Sequence, residues 1–382
     1  MSSHGRLIGQ SGTALLAGGL LLLASGAGSP GFRFSVKAIL GSIGLFLLLR
    51  ALSGRIEPRR RRRMGATAGL LVLSVVLSLG AAELAVRRAL RDVTTTSDNR
   101  SWFARRWWKT HPPVKNRLGY RGREVRARAE SRAYRIALVG DSFAYGQGLL
   151  EPDRLSELLE RQLSETGRPY EVLNFGVPGA ETVDELRILD TDVLTAQPDF
   201  VLLEWYVNDV EGHEKSDRPH YRRLLPSDFA TRLLQEHSAL FYVATEEWQD
   251  LQVQLGLADT YEDYMERRFA DPAGQDFVAA RDDLVTFFRH AREAGSEVGA
   301  VLFPRLEARS SSHRLDFLID RVLDTCDSAR VICVDMRPEL EGVTPARKLW
   351  ANRLDSHPGR LANEIAAHAL RRRFAHVWEL GG

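Results

Sequence analysis

The sequence predicts an α/β domain of three layers, α/β/α, around a mostly parallel five-stranded sheet, preceded by N-terminal transmembrane helices. Three observations lead there. Beyond residue 133, short apolar runs alternate with amphipathic helical stretches, the pattern of a parallel sheet covered by helices. Before residue 91, uncharged apolar runs approach membrane-spanning length. Short polar motifs then follow the strands, at the carboxyl ends where such sheets collect their active groups.

The 382 residues leave room for a membrane region and one catalytic domain, since domains commonly run to about 100–200 residues. The expected organisation is a membrane region at 1–90, a linker and lead-in at 91–133, and a catalytic domain at 134–382 with an insert at about 211–275. A formal net charge of +2 implies no nucleic-acid partner. The two cysteines, Cys326 and Cys333, make neither a zinc spacing nor a redox CxxC. A disulfide between them would suit an oxidising compartment, but two separate buried thiols are the simpler expectation.

The apolar stretches are residues 11–28, 38–52 and 66–86. The third fits a spanning helix best. The first has an alternative as a cleaved signal peptide. Glu83, near the end of the third, has two expected places, the membrane interface or a neighbouring helix. The run Arg59 to Arg63 lies between the second and third stretches, and cytoplasmic loops are rich in such residues. This places the amino terminus inside and everything after Val86 outside, in a multi-pass protein of the cell membrane. Arg87, Arg88 and Arg91 pull the other way. In the lead-in, Trp102, Trp107 and Trp108 suit either the membrane interface or packing on the domain.

Strands are expected at 135–139, 171–175, 200–205, 297–303 and 330–334, with helices at 152–165, 181–194, 277–294, 313–326 and 361–374. The insert reads as a lid, whose Trp248, Tyr261 and Tyr264 are expected to pack its own small core rather than stack on a ligand.

Four motifs carry the chemistry. Gly140-Asp141-Ser142-Phe143 follows the first strand and leads into a helix, where free amide hydrogens can hold an oxyanion. Asn174 to Gly179 follows the second strand, and glycine lets a backbone amide approach a substrate. Asn208-Asp209 follows the third, offering a neutral side-chain donor. Asp355-Ser356-His357-Pro358 precedes the last helix and pairs the usual base for a serine with a carboxylate that fixes its tautomer. Each alone reads as a turn or a structural residue. His213, His220, His237, His290 and His368 lack such a setting.

In this order and placement the four motifs resemble the SGNH/GDSL hydrolase family, from about Tyr134 to the carboxyl terminus. Asn116-Arg117-Leu118-Gly119-Tyr120-Arg121-Gly122 resembles a lead-in of its membrane-anchored bacterial members. The resemblance implies a flavodoxin-like SGNH fold and an acyl-enzyme mechanism. It implies Ser142 as nucleophile, His357 as base and Asp355 as acid. The Ser142 and Gly179 amides and the Asn208 side chain would form the oxyanion hole. No metal or organic cofactor is needed. Two departures stand out. Tyr206 occupies the usual glycine of the third block. Leu354, not an aspartate, lies three residues before His357, so the orienting group is open between Asp355 and a backbone carbonyl.

The expected activity is hydrolysis of a carboxylic or O-acyl ester, with an ester or acylated glycan or lipid as substrate and the lipid bilayer as a further partner. Two alternatives stand beside it. One is an O-acyltransferase that modifies a cell-surface glycan with the same site. The other is a non-catalytic envelope protein that keeps the fold.

Overall fold

The computed structural model of the chain describes residues 60–212, 218–307 and 313–378. The first two apolar stretches lie outside them. In chain order the first elements are α1 (Arg60–Ala89), α2 (Trp102–Thr110), β1 (Tyr134–Gly140), α3 (Ser142–Tyr145), α4 (Leu155–Ser164), β2 (Tyr170–Gly176), α5 (Thr182–Ile188) and β3 (Phe200–Tyr206). There follow α6 (Asp228–His237), α7 (Ala239–Gln254), α8 (Tyr261–Phe269), α9 (Gln275–Glu293), β4 (Glu297–Phe303), α10 (Asp316–Ser328), β5 (Ile332–Asp335), β6 (Trp350–Asn352), β7 (Asp355–Pro358) and α11 (Arg360–Arg373). The chain forms two compact units. Among the described residues, one holds 60–92, Arg100–Trp102 and Tyr221–Ala258; the other holds Val93–Asn99 and the rest of the described residues from Phe103 to His220 and beyond Ala258.

In the first unit, α1 carries the third apolar stretch. Its segment Gly69–Ala89, 21 residues with mean hydropathy 2.2, is long and apolar enough to cross a membrane. Glu83 takes the second of its two expected places and meets α7. Its carboxylate accepts from Ser238 Oγ at 2.7 Å and from the Ala239 and Leu240 amides at 2.9 Å. The two amides are donors that the start of a helix leaves without intrahelical partners, at the positive end of its dipole. Arg87 bonds the same carboxylate at 2.5 Å and the His237 carbonyl at 3.0 Å. Trp248 donates to the Arg222 carbonyl within this unit.

The second unit is built on a five-stranded sheet in the order β2-β1-β3-β4-β5, every pair parallel. Side chains alternate across it. Ala137, Val139, Val201 and Leu203 face one apolar layer with residues of α5, α9 and α10. Ile136, Leu138, Phe200 and Leu202 face the other with residues of α4 and α11. The three-layer architecture is therefore the expected one. Because β1 has β2 on one side and β3 on the other, the connections leave in opposite directions. This is the switch point at whose carboxyl strand ends such sheets place their active groups.

Three segments differ from expectation. Residues 102–110, read as linker, form α2, and Trp108 packs on the domain, edge-on to Tyr145 and beneath Arg121. The irregular stretch 211–275 contains α6, α7 and α8; Tyr261 and Tyr264 in α8 both donate to Glu211. Cys326 and Cys333 are joined in a disulfide, with their Cα atoms 6.2 Å apart. The tight return from α10, with Arg330 at φ 53° and Val331 N–H bonded to the Cys326 carbonyl, brings them within range.

The packing between β4 and α11 leaves no room for a methyl group at Gly299. A Cβ there would lie 2.4 Å from the Phe374 ring and 3.0 Å from the Phe200 ring. Gly299→Ala should destabilise the second unit by about 1–3 kcal/mol, read as a lower urea midpoint of the detergent-solubilised chain.

Candidate active site

Ser142 is the first residue of α3, directly beyond β1. Gly140 is required by space: a Cβ would sit 2.7 Å from Glu204 Oε2 and 2.9 Å from Ala144 Cβ. Asp141 then turns the chain and caps α3, accepting from the Phe143 amide at 2.7 Å. Its other oxygen accepts from Asn208 Nδ2 and from Ser142 Oγ, both at 3.3 Å. This ties the loop after β3 to the loop after β1.

His357 and Asp355 arrive on β7, the second strand of an antiparallel hairpin with β6. The motif lies just before α11, as the sequence places it, and is extended. The strand also accounts for the unusual spacing. In extended chain, residues i and i+2 point to the same side, so an aspartate two before the histidine shares its face. Asp355 Oδ1 lies 2.5 Å from His357 Nδ1 and accepts from the His357 amide at 3.2 Å. Ser356, between them, turns away and donates to Glu307. His357 Nε2 lies 2.8 Å from Ser142 Oγ. Ser142, His357 and Asp355 thus form one continuous line of hydrogen bonds.

Asn208, in the turn after β3, keeps its side-chain oxygen buried and unbonded among the described residues. Gly179 lies in the exposed loop after β2 with φ +79°, and a Cβ there would meet nothing within 4 Å. Tyr206, at the family's glycine position, stacks on Phe143 at 4.3 Å between ring centres, and Phe143 sets its edge to His357 at 5.3 Å. The larger residue therefore supports the floor beside the histidine.

Electrostatics sharpen the His357–Asp355 pair. Burial alone would raise Asp355, but the adjacent His357 and the hydrogen bonds from His357 and Thr95 hold it below the ordinary carboxyl value. Burial alone would lower His357, but the Asp355 charge and hydrogen bond, with Asp141 and Glu307 beyond, hold it above about 6.5. Beneath Asp141 lie Glu185, Glu204 and Asp209. Burial and then mutual repulsion push all three well above the carboxylate range, so protonation keeps this interior from carrying several bare charges.

Sequence reasoning missed several supporting residues. Arg121 donates to the Gly146 and Leu149 carbonyls at 2.6 Å, bracing the loop beyond α3. Glu204 accepts from the Ala144 amide at 3.1 Å. Thr95 and Gln147 both reach Asp355. The Arg121 motif was visible as a lead-in, but nothing in the sequence connects Thr95 with a residue 260 positions later.

The family model described as GDSL-like lipase/acylhydrolase matches residues 138–377. The chain belongs to that family. It is a hydrolase of ester bonds by class. No curated protein matches the chain. Among solved structures, it is similar to the lipase/acylhydrolase from Enterococcus faecalis, at 18% identity and a TM-score of 0.39, over 64% of this chain and 96% of that one. It is also similar to a catalytic mutant of an acetylxylan esterase from Geobacillus stearothermophilus, at 16% identity and a TM-score of 0.38, over 64% of this chain and 95% of that one.

The pairing of His357 with Asp355 can be measured directly. Imidazole NMR of the solubilised chain should give His357 a midpoint above about 6.5. Asp355→Asn should lower it, because burial is then less opposed. An unchanged midpoint would contradict the coupling.

Proposed function

We propose that this protein is a serine esterase acting on carboxylic or O-acyl esters, with Ser142 as nucleophile, His357 as general base and Asp355 as the acid that orients it. The single observation that carries this reading is the hydrogen-bonded line from Ser142 through His357 to Asp355. His357 removes the Ser142 proton as the hydroxyl oxygen attacks the ester carbonyl. The oxyanion is held by the Ser142 and Gly179 amides and the Asn208 side chain. His357 then gives its proton to the departing alcohol, and an acyl-enzyme remains. Water attacks that ester with His357 again as base; the acyl–Oγ bond breaks, His357 returns the proton to Ser142 Oγ, and the acid product leaves.

The same proposal places the protein in the cell membrane, multi-pass, with its catalytic unit on the outer face. The apolar helix Gly69–Ala89 and the basic run before it support that placement. The Cys326–Cys333 disulfide suits an oxidising compartment.

A fluorophosphonate probe should label the detergent-solubilised chain and fail to label Ser142→Ala, which should also lose ester turnover. Labelling that survives in the variant would overturn the assignment. Asn208→Ala should keep the label but lower kcat about 100- to 1,000-fold, the usual loss on removing one oxyanion donor.

The sign of the pH dependence follows from His357. Only neutral imidazole can accept the serine proton, so kcat/KM should fall as pH drops through the raised His357 value. The acid limb should therefore centre above about 6.5. A limb centred near the ordinary carboxyl range would show that another group is the base.

A further inference from the structure

We propose that Thr95 is a positioning residue of this site, holding the Asp355 carboxylate from the side His357 does not reach; the inference rests on Asp355 being the acid of the proposed triad. Asp355 Oδ1 is engaged by His357. Its Oδ2 accepts the Thr95 hydroxyl, with Gln147 Nε2 further off at 3.5 Å. Both Thr95 and Asp355 are almost wholly buried. A carboxylate in that setting needs its oxygens satisfied, and a fixed donor on Oδ2 leaves the Oδ1 lone pairs aimed at the imidazole.

Several contacts hold Thr95 in place. Asn352 Nδ2 bonds the Thr94 hydroxyl and the Thr95 carbonyl, each at 3.0 Å, so the β6–β7 hairpin that carries Asp355 also grips this strap. Gln147 Nε2 donates to the Thr96 carbonyl at 2.9 Å, and Asn99 Nδ2 donates to Gln147 Oε1 at 2.8 Å. Gly148 has φ +74°, and a Cβ there would come within 2.3 Å of the Thr95 hydroxyl. Glycine at that position lets the strap lie against the loop beyond α3. The strap belongs to the same compact unit as the sheet, although it precedes the family match at 138–377 and begins four residues after α1 ends. The acid's second hydrogen-bond partner is thus supplied by the segment that leaves the apolar helix.

The test is a double-mutant cycle on the full, solubilised chain, with p-nitrophenyl acetate as substrate and Ser142→Ala as the blank. Thr95→Val keeps the shape and removes the hydroxyl. It should lower kcat about 10- to 100-fold, the range for a hydrogen bond to a charged group, with KM little changed. Thr95→Ser should restore most of the rate. In an Asp355→Asn background, Thr95→Val should cost little more, because its partner charge is already gone. An unchanged kcat in Thr95→Val overturns the proposal. So does an equal fold-loss with and without Asp355, which would mark a purely structural role. If Thr95→Val loses its cooperative melting transition, the comparison of Thr95→Ala with Thr95→Ser decides in the same way. Turnover that persists in Ser142→Ala would instead overturn the hydrolase mechanism itself, and the role given to Thr95 with it.

Discussion

A carboxylate taken out of water must be surrounded by donors, and the buried Asp355 organises this site by meeting that demand. Its two oxygens draw on His357 in the same strand and on Thr95 and Gln147 from two distant segments. Desolvation alone would favour the neutral acid. The adjacent imidazole and the fixed donors reverse that preference, and the retained charge is what raises His357. Hairpin, strap and loop are held together because each supplies part of one shell.

The sheet decides where this shell can meet a nucleophile. With β1 between β2 and β3, the loops after these three strands leave from the same edge of the sheet, and the Asp141–Asn208 contact ties two of them. Gly140 is a point of close approach, where a side chain would strike Glu204 or Ala144. Beneath Asp141, Glu185, Glu204 and Asp209 are a costly arrangement if charged. Burial pushes all three upward, and Asp141 with them, whereas Asp355 beside His357 is held below the ordinary carboxyl value.

The first unit uses the same logic at another place. Glu83 would be an isolated charge in an apolar helix, but the start of α7 offers it unbonded amides and Arg87 lies one turn away. The carboxylate is thereby both neutralised and directed, and α7 gains a cap.

The sequence by itself determined the alternation of strands and helices, because short continuous apolar runs and stretches with 3.6-residue periodicity leave separate marks on a chain. It also located Ser142 and Asn208 at strand ends, since short polar motifs after apolar runs stand out locally, and His357 just before the last helix. It could not decide whether Asp355 faces His357, because that depends on residues 355–357 being extended, and the β6–β7 hairpin that extends them is a pairing of two very short strands. Nor could it join Cys326 to Cys333, which depends on the tight return at Arg330. Thr95, Gln147 and Glu204 were equally hidden: isolated polar residues carry no periodicity, and their partners lie 60 to 260 positions away. Contacts of that span are fixed only when the sheet closes and burial forces each polar group to find a partner.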